Sequence, residues 1–449
     1  MRKKYLVGFI AVLMIVSTVL SGCTGTGPEG NASQEVTADG KTVLNFWTPQ
    51  WDDLSADWFK KNIDAYNKSQ DDVVVKVEFI PGDAWDQKIK AAQAAGTSPD
   101  ITTMNYNKII FSAQQGTIKP LDDYVDSKIW EDLYENVNEF VSYDGKHYAY
   151  PMLLEPSSIL YYRKDFFEEA GLDPDSPPKT WDEWIEYGKK LKQGKRVGLA
   201  AAGNTTELGW THWGLQAMVG GSPVNEDWSE ATINSEPYEK LLTFWSNLYK
   251  EGILPKQAPG PYTDIKPLAE GRAAMQINGS WGISELRNSY PDVLDKIGIA
   301  PVPTPDGNQD VPTASLGGWT LTIDGNSEHP QEAADFISYL LADDPEIMID
   351  FFKNVTKFSK FSARKSVDEA LKSDPDAQND EWRKMIAEEV VPYAVAEPIY
   401  AWDFSMSYAN AVERVYLNKK NVKESLAIAE KEINEYIKVN NYAGTNPNQ

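Results

Sequence analysis

The sequence predicts an α/β fold in which a parallel or mixed sheet is covered by helices. Three observations predict it. Two β-rich runs, Val43-Leu44-Asn45-Phe46-Trp47 and Val73 to Ile80, enclose Trp58 to Tyr66, whose apolar positions recur at helical spacing. A second helical stretch, Ala84 to Ala95, closes at Gly96 and leads into Pro99-Asp100-Ile101-Thr102-Thr103-Met104, a third short strand. Strands that alternate with helices in this way pair in parallel through helical crossovers.

The middle of the chain repeats the style with longer helices. Asp165 to Ala170 reads as a helix stopped by Gly171, and Thr180-Trp181-Asp182-Glu183 opens another that runs to Lys192. Thr180 and Glu183 stand at the spacing of a capping box, in which each side chain satisfies the other residue's backbone N–H. Helices at about Glu236 to Lys250 and Glu328 to Leu341 accompany the strand-like Ala273 to Ile277 and Leu321-Thr322-Ile323. From Ser407 to Val439 the pattern is almost wholly helical. No internal repeat has a fixed period, which disfavours solenoids and propellers.

With 449 residues the chain is long enough for two or three domains, and 41% hydrophobic content supports real cores. Against 43 Lys and Arg stand 67 Asp and Glu, a net charge of −24. That charge repels nucleic acid and anionic lipid surfaces, so neither is expected as a partner. Fifteen Trp exceed what most cores require. Their broad apolar faces, each with one N–H donor, suit a ligand as well as a core.

At the N-terminus Arg2, Lys3 and Lys4 precede an apolar run of 16 residues, Tyr5 to Leu20. That is short for a bilayer span of about 20 residues and reads as a secretion signal. Leu20-Ser21-Gly22-Cys23 follows and resembles the lipobox of bacterial lipoproteins, in which cleavage before the Cys leaves it to be acylated. Cys23 is the single cysteine, so no intrachain disulfide is available to it. The expected organisation is a signal peptide over 1–22, a flexible tether of Gly, Thr, Pro, Ser, Asn and acidic residues without apolar period over 23–41, and the folded part from 42 onward. Removal of the signal takes three bases with it and makes the chain more acidic still.

Taken in order, these segments resemble the family 1 extracellular solute-binding proteins of ATP-driven sugar importers, the group that includes the maltodextrin-binding proteins. The similarity is carried by Asp144-Gly145-Lys146-His147-Tyr148-Ala149-Tyr150-Pro151, then Ile159 to Phe167, then Pro178-Lys179-Thr180-Trp181-Asp182-Glu183. Also similar are Gly96 to Asp100, Glu270 to Met275 with Gly279-Ser280-Trp281, and Gly317-Gly318-Trp319. The resemblance implies a periplasmic-binding-protein-like fold of two lobes, each a mixed sheet flanked by helices and discontinuous in sequence, with the ligand in the cleft between them. It implies crossings near Leu153 to Glu155, Leu316 to Gly318 and Phe361 to Arg364. The lobes are then 42–153 plus 318–362, and 154–317 plus 363–449.

A sugar presents hydroxyls at its edge and C–H patches on its faces, so its site needs carboxylates, amides and flat rings. Gln50, Trp51 and Asp52 lie in a loop at the C-terminal end of a parallel strand, where open α/β sheets bind ligands. Trp47 fits packing beneath that loop or contact with the ligand. Asn105 and Tyr106 follow the third strand in the same way. The resemblance implies an acidic contact at Glu155, for which a hinge salt bridge is the other reading. It implies an aromatic facing the sugar at Trp210 or Trp213, which flank His212, and a stacking platform at Trp281. Gly318 and Trp319 sit at the second crossing, where a residue without Cβ permits close approach. Tyr400, Trp402 and Asp403 fall in a Pro-marked, non-periodic stretch that fits a cleft-edge loop or a core loop.

The expected function is capture of a sugar, a neutral di- or oligosaccharide by the number of Trp and the scarcity of Arg, and its delivery to the permease of an ABC transporter. The protein is expected on the outer face of the cell membrane, anchored through Cys23, as a monomer without cofactor or metal. A secreted glycosidase would also combine Trp platforms with paired carboxylates, for which Glu155, Asp52 and Asp403 are available. Polyamine or metal binding and a purely sensory role are further alternatives. His147, His212 and His329 are the only histidines, too few for a His-rich site.

Overall fold

The computed structural model describes residues 37, 40–416 and 420–447. The signal peptide, Cys23 and most of the tether lie outside the described residues. Twelve strands follow in chain order: β1 Thr42–Gln50, β2 Val73–Pro81, β3 Ile101–Asn105, β4 Ser142–Tyr143, β5 Lys146–His147 and β6 Tyr150–Pro156; then β7 Ile159–Arg163, β8 Val197–Ala200, β9 Ala273–Asn278, β10 Ile297–Ala300, β11 Ser315–Ile323 and β12 Val395–Ala396.

They form two main sheets. The first runs β12-β11-β3-β1-β2, with β6 also paired to β11. Here β1 is parallel to β2 and β3, as the alternation of strand and helix requires, whereas β11 runs antiparallel to β3 and to β6. The second sheet runs β10-β7-β9-β8 and is mixed: β7 is antiparallel to both neighbours, and β8 is parallel to β9. A small β4–β5 hairpin stands apart.

Local signals place the helices. Gly96 takes φ +67° at the end of the helix Gly82–Ala95, a left-handed stop that suits glycine. The helix Trp181–Leu191 carries the full capping box: Glu183 N–H donates to Thr180 Oγ1 at 3.1 Å, and Thr180 N–H donates to Glu183 Oε2 at 3.1 Å. The C-terminal helical region divides into Trp402–Tyr416 and Val422–Asn440, the second capped by Asn421.

Each sheet has its own core. Leu44, Phe46, Phe59, Ile101 and Leu321 pack in the first, and Trp184, Tyr238, Met275, Tyr408 and Ile433 in the second. His212 belongs to the second core. Its Nδ1 lies 2.9 Å from Tyr408 Oη, and burial pulls the imidazole down to about 3, so the ring is neutral.

The crossing segments converge. Leu154 and Phe361 exchange backbone hydrogen bonds of 2.8 and 2.9 Å, and Ser157 N–H donates to Ser315 O at 2.8 Å. Beside them β12 pairs with the start of β11. Beyond the third crossing Ala363, Val367 and Leu371 pack in the first core, while Ile386 and Val390 join Ile159, Tyr161 and Ile297 against the second sheet. The amphipathic helix Lys365–Ser373 keeps the chain on the first side, because its apolar face is already buried there. Away from these crossings, Ile110 enters the second core and Phe111 stacks on Trp228, with centroids 5.7 Å apart and planes 12° apart.

Candidate functional site

Strand directions build the first wall. Because β1 and β3 are parallel, Gln50 and Asn105 end at the same edge, and antiparallel β11 brings Trp319 opposite Asn105. Gln50 is exposed and Trp51 half-buried. The rings of Trp51 and Trp319 lie 5.2 Å apart, with planes inclined at 58°. Trp51 Nε1 is shut off from solvent without a hydrogen-bond partner among the described residues. Asn105 Nδ2 donates to Gly318 O at 3.4 Å. Gly318 has φ +144°, and a Cβ there would stand 2.3 Å from Leu153 O, so only glycine fits.

Three residues near this wall hold other posts. Asp52 caps the helix Asp53–Ser69, accepting from Ser55 N–H at 2.7 Å. Trp47 turns away beneath Lys88, whose ammonium sits 4.3 Å over the ring. Tyr106 corrects the expectation of a cleft-facing ring. It opens the helix Tyr106–Gln114 and turns inward, 1% exposed, against Phe140.

At the crossing Glu155 meets Lys360 at 2.7 Å, both side chains about nine-tenths buried. The same ammonium lies 5.9 Å over the Trp51 ring. Glu155 is thus ion-paired where β6 meets β11, at the edge of the first wall.

The second wall is aromatic. Trp281 begins the helix Trp281–Ser289, and its Nε1 donates to Thr263 O at 3.1 Å. Its ring folds back over Gly279, where a Cβ would stand 1.9 Å from it. Trp210, half-buried, lies 6.1 Å from Trp281 and meets Tyr262 edge-on at 5.4 Å. Trp213 is the core member of its pair, 6% exposed, with Nε1 donating to Ser405 Oγ at 2.9 Å; it presents no face to a ligand. Trp402 is 38% exposed, crosses Trp213 at 89° and lies over Gly209. Tyr400 and Asp403 are half-buried, Tyr400 against Phe404.

Sequence reasoning missed four charged groups here: Lys360, Glu397, Asp264 and Glu285. Glu285 stands one helical turn after Trp281, a spacing that places the two on one face. Ile265 N–H donates to Glu285 Oε2 at 3.0 Å. Burial, the hydrogen-bonded Asp264 and, from the other wall, Asp52 push Glu285 up to about 8 against that bond.

A pH dependence follows. Between about 4.5 and about 8 the native state holds a proton on Glu285 that the unfolded chain has released, so stability falls as pH rises through this window and levels off above it. Glu285→Gln removes this contribution. Urea denaturation should find the variant equal to the parent near pH 4 and more stable above pH 8, by about 1–3 kcal/mol. A difference that is constant with pH refutes the assignment.

Among the described residues no three His, Cys, Asp or Glu side chains are grouped to hold a metal ion, and no helix is long and apolar enough to cross a membrane.

Two sheets, each with its own core and joined where strands cross, with indoles lining an edge of each, define a two-lobed solute-binding protein. The chain belongs to the family described as bacterial extracellular solute-binding protein, whose model matches residues 52–347. Among curated relatives it is 25% identical over 382 residues to the galactooligosaccharide-binding protein of Bacillus subtilis, covering 78% of this chain and 86% of that one. Among solved structures it is similar to the cyclic α-maltosyl-1,6-maltose binding protein of Arthrobacter globiformis, at 25% identity and TM-score 0.66 over 89% of this chain and 100% of that one. A solute-binding protein of Thermotoga lettingae bound with α-D-tagatose shares the fold at TM-score 0.74 and 24% identity, covering 88% of this chain and 99% of that one.

Proposed function

We propose that this protein captures a neutral di- or oligosaccharide between its lobes and hands it unchanged to the permease of an ABC importer. The observation that carries the reading is the pair of walls, Trp51 with Trp319 and Trp210 with Trp281 and Trp402, with the carboxyls of Glu155, Asp264 and Glu285 beside them. Indole faces take C–H surface and carboxyls take hydroxyls, each such bond contributing about 1.5–3 kcal/mol when charged. Relatives named for galactooligosaccharides and for a cyclic maltosyl-maltose support the ligand class. Gln50, Asn105 and Gly318 border the first wall and are assigned to its polar rim; Tyr400 and Asp403 are assigned to the rim beside Trp402. The first lobe comprises residues 42–153 and 318 to about 371, the second 154–317 and about 386 onward. The ligand selects the closed arrangement because only there do both lobes touch it.

Thermal unfolding of residues 42–449 with galactotriose, maltotriose and D-tagatose tests the reading. A ligand bound by the native state alone raises the melting temperature. No shift with any of the three refutes it, and new reducing ends after incubation favour the glycosidase. Anchoring through Cys23 belongs to the proposal as well, and Cys23→Ser should move the full-length protein from the detergent phase to the aqueous phase.

A further inference from the structure

Glu397 was marked by no sequence pattern, and its setting is unusual. It directly follows β12, and its N–H donates to Leu316 O at 3.2 Å, which lays the side chain beside Gly317. A Cβ on Gly317 would stand 2.0 Å from the Glu397 carboxyl carbon, so the carboxyl lies flat across β11 only because glycine is there. Gly317 is also the cross-strand partner of Glu155 on β6. Two carboxyl side chains therefore flank one glycine, from the strands on either side of it.

The surroundings divide the two acids. Glu155 has Lys360 at 2.7 Å. Glu397 has the Asn107 backbone N–H at one oxygen, while Oε2 is sealed from solvent with no hydrogen-bond partner among the described residues. The other titratable groups facing it are Tyr106 and Lys108, both from the helix Tyr106–Gln114. Tyr106 is itself 1% exposed, and its hydroxyl has no partner among the described residues. Burial first, and then Glu155, push Glu397 up to about 8, against the pull of Asn107 and Lys108.

We propose that Glu397 contacts the ligand in its acid form: its O–H donates to a sugar hydroxyl oxygen, and that hydroxyl donates in turn to the Glu155 carboxylate. The inference rests on the sugar-binding reading and adds a residue and a proton to it. A hydroxyl is donor and acceptor at once, and a carboxyl beside a carboxylate is its complement. Two ionised carboxylates closed off together would repel, and burial beside Glu155 favours the acid form of Glu397. Sugar affinity accordingly requires the proton on Glu397. It is full well below the value to which that group is pushed and is lost as pH rises through it.

The experiment is titration calorimetry with galactotriose, maltotriose and D-tagatose from about pH 6 to about pH 9.5. The parent protein should hold constant affinity at the acid end and lose about tenfold per pH unit at the alkaline end. Glu397→Gln keeps a neutral donor, so it should bind within about threefold of the parent and show no alkaline loss; Glu397→Ala should bind at least about tenfold more weakly throughout. A pH-independent affinity in the parent, an alkaline loss that persists in Glu397→Gln, or one abolished by Glu285→Gln instead, overturns the inference and leaves sugar binding standing. Failure of all three sugars to bind at any pH sinks the underlying reading and the inference with it.

Discussion

Trp281→Ala should weaken sugar binding by about 2–3 kcal/mol, roughly 30- to 150-fold in affinity, with little change in melting temperature. Stacking removes about 100 Å² of C–H surface from water at about 25 cal/mol per Å², and an indole held in place adds its orientation. Trp281 is held from several sides: Nε1 by Thr263 O at 3.1 Å, the ring over Gly279 and beside Trp210 and Tyr262. It is half-buried and packs at the margin of the second core, not within it. Gly279→Ala offers an independent test, since its Cβ would land 1.9 Å from the ring and force it off its position. Calorimetry should then show loss of affinity with the indole still present. Parental affinity in both variants would remove Trp281 from the site.

The second large effect is on stability. Lys360→Met should destabilise the protein by about 3–5 kcal/mol, because it leaves the Glu155 carboxylate buried without its ammonium. The double variant Glu155→Gln with Lys360→Met should recover most of that loss, since the cost lies in the orphaned charge more than in the lost attraction. Urea denaturation of the two single variants and the double variant closes the cycle. Additive losses would mean that the 2.7 Å contact is energetically idle.

Much of the fold was legible because its signals are local. The strands β1, β2 and β3, the helices between them, the glycine stop at Gly96 and the capping box at Thr180 each depend on residues within one turn of one another. The two-lobed arrangement came through the resemblance, since antiparallel β11 pairs with strands more than 150 positions away and no periodicity encodes that. The third crossing is hard to place from sequence for a related reason. Val367 and Leu371 could cover either core, and only packing decides which.

The site was legible in part. Trp210 and Trp213 are equivalent in composition but lie on successive short helices, and only the second brings its indole to Ser405. Tyr106 follows its strand just as Trp51 follows β1, yet an immediate helix start swings it inward. Lys360 and Glu397 carry no motif at all; each matters because a strand crossing sets it beside Glu155.

The Phe111–Trp228 stack, with Ile110 beside it in the second core, ties the two halves outside the crossing strands themselves. Parallel rings glide over one another at small cost but lose about 0.5–1.5 kcal/mol when lifted apart. A displacement within the ring planes keeps that contact, whereas one along their normal breaks it. The pair therefore resists displacements that part the two faces and yields to those that slide them.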